Sequence, residues 1–433
     1  MNLLLLVPGT GHFYCGSCLR DDALAKALCA LGHDAVVVPL YLPMMLEDGA
    51  ETGANDAPVH MGGINLYLQQ KASVFRRLPQ WLARWLDSPR LLRWASRRSS
   101  MTEAPYLGPM TLSMIRGESG RQAKELEKLI AWVASTDRPD VVLLSNVMLS
   151  GIVRRLREEL GCPVVMTLQG EAPFLDSLQA PFAEQAWQEL RARAPDIDAF
   201  IAVSHYYADL MRDRLALRPE RVHVVHNGLD IEELRAEPRP LDERRPPAVG
   251  YLARMCKDKG LDTLVDAYLL LKEKGTVAGL RLRVAGVMLK EDRSFVADLR
   301  ERLGAHIADV DFMPNVERAE KLAFLQTLSA LSVPATYGES FGLYLLEAMA
   351  AGVPVVQPRH AAFPEILDAT GGGVLCQPDS ARSLADALEQ VLLDGTHAAE
   401  LAANGRRAVL ERFHSERMAR EFTEICSRVS RDR

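Results

Sequence analysis

Short apolar runs alternate with helical spacing along most of the chain. Asn2–Val7 has the length and continuity of a buried parallel strand, and Pro8-Gly9-Thr10-Gly11 follows it as a glycine turn. Leu24, Leu28 and Leu31 repeat at helical spacing within Asp22–Leu31, Gly32 stops them, and Ala35–Leu40 is apolar again. The pattern lapses from about Glu47 to Pro109. It resumes with helices at Gly120–Ala134, Leu149–Leu160 and Ala183–Ala194, between strands at Val141–Ser145, Pro163–Leu168 and Ala199–Val203. A helix begins at Ser204-His205-Tyr206-Tyr207, and the strand Val222–Val225 ends at H-N-G-L-D. Glu237–Pro247 is rich in proline and charge without periodicity and predicts a linker. A second series follows: strand Ala248–Ala253, helix Leu261–Lys272, strand and glycine turn Leu280–Gly286, helix Ala319–Leu328. This βα alternation predicts two doubly wound parallel sheets.

The stretch Tyr337–Val356, Y-G-E-S-F-G-L-Y-L-L-E-A-M-A-A-G-V-P-V-V, carries the chemistry. Ala330–Pro334 reads as a strand before it, a helix runs from near Phe341 to Gly352, and Val353–Val356 is the next strand. A strand–turn–helix–strand unit puts the turn at the carboxyl edge of a parallel sheet, where open α/β folds bind ligands. The amides of Phe341, Gly342 and Leu343 at a helix start suit an anion. Gly342 to Glu347 spans about 7.5 Å of helix axis, close to the step from a diphosphate to the ribose of one nucleotide. Glu339 and Glu347 can then accept from hydroxyls on opposite sides of the diphosphate. Earlier, Arg254-Met255-Cys256-Lys257-Asp258-Lys259-Gly260 supplies cations at another strand end entering a helix, a setting for a diphosphate.

These residues resemble a known signature. Glu339…Glu347 as E-x7-E before A-x-A-x-G-x-P-V-V, with G-x-x-x-R-x-x-x-x-K-G over Gly250–Gly260, is similar to bacterial retaining glycosyltransferases of family 4 with the GT-B fold. I-A-V-S and V-x-N-G-x-D occur in the same chain order. The resemblance implies two Rossmann-like α/β domains facing across a cleft, and a hexosyltransferase of glycan biosynthesis. It implies a UDP-, GDP- or ADP-sugar as donor, an acceptor glycan, small molecule or lipid-linked carrier, and no obligatory cofactor or metal. Glu339, Arg254 and Lys259 map to catalytic positions. Gly9, Gly11, Phe341, Gly342, Leu343 and Glu347 map to donor binding, with Glu347 on the ribose and Glu339 on sugar hydroxyls. The expected domains are 1–236 on the acceptor side, a 237–247 linker, 248–412 on the donor side, and 413–433 as a helix returning to the first domain.

Two departures stand out. In much of that family a histidine follows the strand where this chain has Gln169-Gly170-Glu171, leaving Glu171 as a candidate acceptor contact or a solvated loop acid. A glycine is more usual where Asn315 stands, in a segment whose backbone faces the nucleobase. His205 is a second acceptor-side candidate, against a plain helix-start residue.

Composition narrows the partners. A net charge of -6 argues against a general nucleic-acid binder. The 433 residues suffice for two cores. Seven scattered cysteines fit a reducing compartment, and the start lacks a basic leader, so a cytoplasmic protein is expected. Cys15-Gly16-Ser17-Cys18 lacks a second pair for zinc and is read as loop packing rather than a redox site. Tyr14 and the absence of an acid after the second strand exclude a nicotinamide fingerprint. The Trp- and Arg-rich 71–100 stretch leaves open a peripheral contact with the inner membrane face, against an acceptor-side insertion with solvated arginines, the favoured reading. A sugar-nucleotide epimerase and a catalytically silent scaffold are the rival functions.

Overall fold

The computed structural model describes residues 1–9, 16–41, 104–232 and 234–431. They form two compact units, Met1–His226 with Glu416–Arg433, and Asn227–Ser415. No helix among the described residues is long and apolar enough to cross a membrane.

In the first unit β1 (Asn2–Val7), β2 (Asp34–Pro39), β3 (Val141–Leu144), β4 (Val164–Leu168), β5 (Ala199–Ala202) and β6 (Val222–Val224) form one parallel sheet in the order β2-β1-β3-β4-β5-β6. β1 pairs on both sides, Leu3 with Ala35 and with Val141. Its side chains are buried on both faces, which is why L-L-L-L-V shows no alternation. The helix Gly16–Ala30 packs Leu24 and Leu28 against it. The helix Ser415–Arg431 adds Met418, Phe422 and Ile425, one face at helical spacing, to the same core. Each such buried side chain contributes about 1.5–3 kcal/mol. A further helix, Ala104–Ile115, begins within the stretch where the sequence pattern lapses and carries Pro109 inside it.

The second unit repeats the plan. β7 (Ala248–Leu252), β8 (Arg281–Gly286), β9 (Val310–Pro314), β10 (Ala330–Leu331), β11 (Val355–Pro358) and β12 (Gly373–Cys376) lie in the order β12-β11-β10-β7-β8-β9, with every pair parallel. β10 is shorter than the apolar run Ala330–Pro334 predicts. The chain turns at Val333, whose carbonyl accepts from Ala335 N–H, and Pro334 has no N–H to continue a ladder.

The proline-rich 237–247 stretch belongs to the second unit. Arg244 is 2% exposed, and its guanidinium donates to the carbonyls of Arg239, Leu328 (2.9 Å) and Ala351 (2.9 Å). Burial, with the charge of Arg239 nearby, pulls its pKa down to about 10, leaving it charged at neutral pH. Arg406 binds the carbonyls of Leu234, Arg235 and Ala236. Arg244 thus ties the proline-rich stretch to the second unit, and Arg406 ties down the three residues before it.

Candidate active site

β7 is the first strand of its sheet in sequence and lies between β8 and β10. The direction of winding therefore reverses between β7 and β10, and such a reversal is where open α/β sheets bind ligands. The loops bearing Arg254–Gly260 and Val333–Gly342 leave from this point. They touch at Gly260, which adopts φ +70, and a Cβ there would come within 1.9 Å of the Pro334 carbonyl oxygen. Only glycine fits. Thr336 N–H donates to the Asp258 carbonyl at 3.0 Å and ties the loops again.

The contact brings Lys259 to Glu339. Lys259 Nζ lies 2.5 Å from Glu339 Oε2, and the same oxygen accepts from the hydroxyls of Tyr337 (3.0 Å) and Tyr344 (3.2 Å). Lys259 also donates to the Tyr337 hydroxyl and sits over both rings, 4.8 Å and 5.6 Å from their centroids. Glu339 is only 7% exposed. Burial alone would push its carboxyl up. The Lys259 charge, the lysine hydrogen bond and the two phenols outweigh burial and hold it below the ordinary carboxylate range. Burial first, then the Glu339 charge, pushes both phenols well up, so they act as donors.

Arg254 is held from one side. Asp292, buried after β8, takes Nε and Nη2 at 2.9 Å each, and the exposed Glu291 touches Nη2 at 3.0 Å. Asp292 also accepts from Leu289 N–H at 2.9 Å, which fixes the loop that carries it. Nη1 of Arg254 has no partner among the described residues. The helix after Glu339 spans Leu343–Ala350, starting two residues later than the sequence suggests. Gly342 stands before it at φ +85, outside helical geometry, so Phe341 and Gly342 belong to the turn. First-turn amides have no intrahelical acceptor and direct a positive potential outward. Glu347, one turn in, accepts from Lys321 of the helix Arg318–Leu325 at 2.7 Å. Asn315 takes φ +58, the region in which glycine is usual, and its Oδ1 accepts from Met288 N–H at 3.1 Å. Asparagine tolerates this backbone and braces it.

In the first unit Gly9 closes β1 at φ +77, while Gly11, Cys15 and residues 42–103, with the basic stretch 71–100, lie outside the described residues. Cys18 is buried in the helix Gly16–Ala30. Glu171 is 4% exposed, and both its oxygens are engaged. Oε1 accepts from Val147 N–H (3.2 Å), and Oε2 accepts from Gln169 and Gly170 N–H (2.9 Å each) and from the Tyr207 hydroxyl (3.0 Å). Such a carboxylate braces the turn after β4. Gln169 donates to the Ser145 carbonyl at 2.8 Å and to Asp21 Oδ1 at 3.3 Å. His205 opens the helix His205–Leu215 on the solvent side, edge-on to His226 at 6.0 Å, while Ser204 caps the helix through Tyr207 N–H.

Residues 94–233 match the sequence model described as Glycosyltransferase Family 4, and residues 233–408 match Glycosyl transferases group 1. The chain belongs to these glycosyltransferases. A protein of Escherichia coli K12 named as a colanic acid biosynthesis glycosyltransferase, WcaL, is 26% identical over 53% of this chain and 56% of its own length, just over half. Alpha-maltose-1-phosphate synthase of Mycolicibacterium smegmatis is 28% identical over 67% of this chain and 79% of its own. HepE of Anabaena, solved with UDP, superposes with a TM-score of 0.67 over 99% of this chain and 100% of that one at 17% identity, a likeness that carries the GT-B fold.

Four residues of the glycosyltransferase's second unit escape a reading of the sequence: Tyr337, Tyr344, Asp292 and Lys321. The tyrosines flank Glu339 closely enough that a buried acid beside two phenols is a usable signal. Asp292 and Lys321 carry none, since their partners lie 38 and 26 residues away.

Proposed function

We propose that this glycosyltransferase moves a sugar from a nucleoside-diphosphate sugar to an acceptor hydroxyl on a sugar, glycan or lipid-linked carrier, with retention at the anomeric carbon. The observation that carries the reading is the Lys259–Glu339 pair between the loops that leave β7 and β10 at the winding reversal of the second sheet, with Arg254 on the first loop and Glu347 on the helix that follows the second. Arg254 offers Nη1, and Lys259 exchanges Glu339 for a diphosphate oxygen. Together with the turn Phe341–Leu343 they stabilise the charge that grows on the leaving diphosphate, where fixed donors gain most. Glu347 accepts from ribose hydroxyls and Glu339 from the sugar. The bond from the anomeric carbon to the phosphate oxygen breaks, the acceptor oxygen bonds to that carbon from the same face, and the acceptor proton passes to the departing phosphate oxygen. No protein base is assigned. UDP bound to a fold neighbour supports this donor class, and a relative named as a glycosyltransferase supports the transfer.

The test is thermal stability with UDP, GDP and ADP, alongside Glu347→Ala. A ligand at about a hundred times its dissociation constant adds roughly 2.7 kcal/mol. One nucleotide is expected to stabilise the wild type and to stabilise the variant much less. Equal shifts in both proteins, or none with any nucleotide, would remove the reading.

A further inference from the structure

Among the described residues, all the hydrogen bonds that the Glu339 carboxylate receives fall on one oxygen. Lys259, Tyr337 and Tyr344 converge on Oε2, from the loop after β7, the loop after β10 and the first turn of the helix Leu343–Ala350. Three donors on one oxygen fix the rotation of the carboxylate and leave Oε1 without a partner among the described residues. Two of the three are neutral phenols, and they need not leave when an anion arrives. Lys259 is different, because its ammonium is also the cation that a diphosphate would attract.

On the nucleotide-sugar reading above, we propose that Tyr337 and Tyr344 are positioning residues: their hydroxyls hold Glu339 Oε2 so that Oε1 accepts from the donor sugar after Lys259 has turned to the diphosphate. The phenols neither touch the diphosphate nor take a proton. They replace the lysine as the anchor of the carboxylate, so their removal acts on the sugar contact and spares the nucleotide contact.

Calorimetry on the full chain separates these contacts. Dissociation constants are measured for UDP with UDP-glucose, GDP with GDP-mannose, and ADP with ADP-glucose, and the pair that binds is retained. The change in the ratio of the nucleoside diphosphate constant to the nucleotide-sugar constant, from wild type to variant, reads the sugar contact, because the charge difference between the two ligands is common to both proteins. Tyr337→Phe and Tyr344→Phe are each expected to lower that ratio roughly three- to tenfold, the worth of one hydrogen bond. The nucleoside diphosphate constant should stay within about twofold. In a Glu339→Gln background, the phenylalanine changes should lower the ratio no further. Melting curves verify folding, and either tyrosine variant carries the test if the other unfolds. An unchanged ratio in folded variants overturns the inference, as does equal weakening of diphosphate and nucleotide sugar, or the absence of any sugar contribution in the wild type. Failure of every nucleoside diphosphate to bind instead removes the nucleotide-sugar reading itself.

Discussion

Glu171 and Glu339 are the same residue type in two six-stranded parallel sheets. Each follows a parallel strand at its carboxyl end, each is nearly buried, and each accepts from tyrosine. Glu171 spends both oxygens inside the fold, on two amides of its own loop, the Val147 amide after β3 and the Tyr207 phenol. Among the described residues, Glu339 receives its donors on one oxygen, all of them side chains, and one of these is a cation able to exchange partners. A carboxylate saturated by backbone amides can move only if its loop moves. One held by side chains can serve a ligand. Burial and carboxylate chemistry alone do not distinguish a brace from a site; the distribution of donors over the two oxygens does.

The largest expected effect belongs to the brace. Glu171→Ala leaves three amides and the Tyr207 hydroxyl without an acceptor in a buried turn, at a cost of about 3–5 kcal/mol. At about 2–4 °C per kcal/mol for a unit of this size, melting of the first unit should fall by roughly 10 °C. Nucleotide affinity of the protein that stays folded should not change. A Glu171→Ala protein that melts like the wild type but has lost turnover would reverse the comparison and restore Glu171 as an acceptor contact.

Glu339→Gln should show the opposite balance, with turnover down about 100-fold and a small change in melting. Its pH dependence sharpens the contrast. The folded-state pKa of Glu339 lies below its ordinary value, so its pairing with Lys259 stabilises fully above about pH 4.3. That stabilisation is lost as pH falls through the depressed folded value. Acid titration of melting in the wild type should contain this component, and in Glu339→Gln it should be missing. Coincident acid limbs for the two proteins would show that the carboxylate is not held as described.

The two sheets were legible because β1, β3, β4, β5, β7, β10 and β11 are buried on both faces and leave unbroken apolar runs between helical spacings. The E-x7-E stretch was legible for the same local reason: one turn and one helix carry both acids. What could not be read is pairing across the sheet. Glu171 owes its role to Tyr207, 36 residues on, and to the Val147 amide. Glu347 is bound by Lys321, 26 residues before it. Arg244 looks like a linker charge until the carbonyls of Leu328 and Ala351, from two separate elements, are brought around it. Such partners follow from strand order, and short-range spacing does not encode them.

The smallest effects come from the two acids on Arg254, which extend the contrast between brace and site to a cation. Asp292 is buried and bidentate, and it also fixes the Leu289 amide, so it orients Nη1 rather than merely neutralising the guanidinium. Asp292→Ala should weaken the retained nucleoside diphosphate about tenfold, because an unanchored arginine must be ordered on binding. Glu291 is exposed and touches Nη2 alone. An exposed ion pair is worth at most about 1 kcal/mol, and this one competes with an incoming anion for the same charge. Glu291→Gln should therefore tighten the nucleoside diphosphate by roughly twofold, and more at low salt than at high salt. Opposite signs for neighbouring acids on one guanidinium are the discriminating result. If both substitutions tighten binding, Asp292 is a competitor like Glu291, and Arg254 needs no anchor to meet the diphosphate.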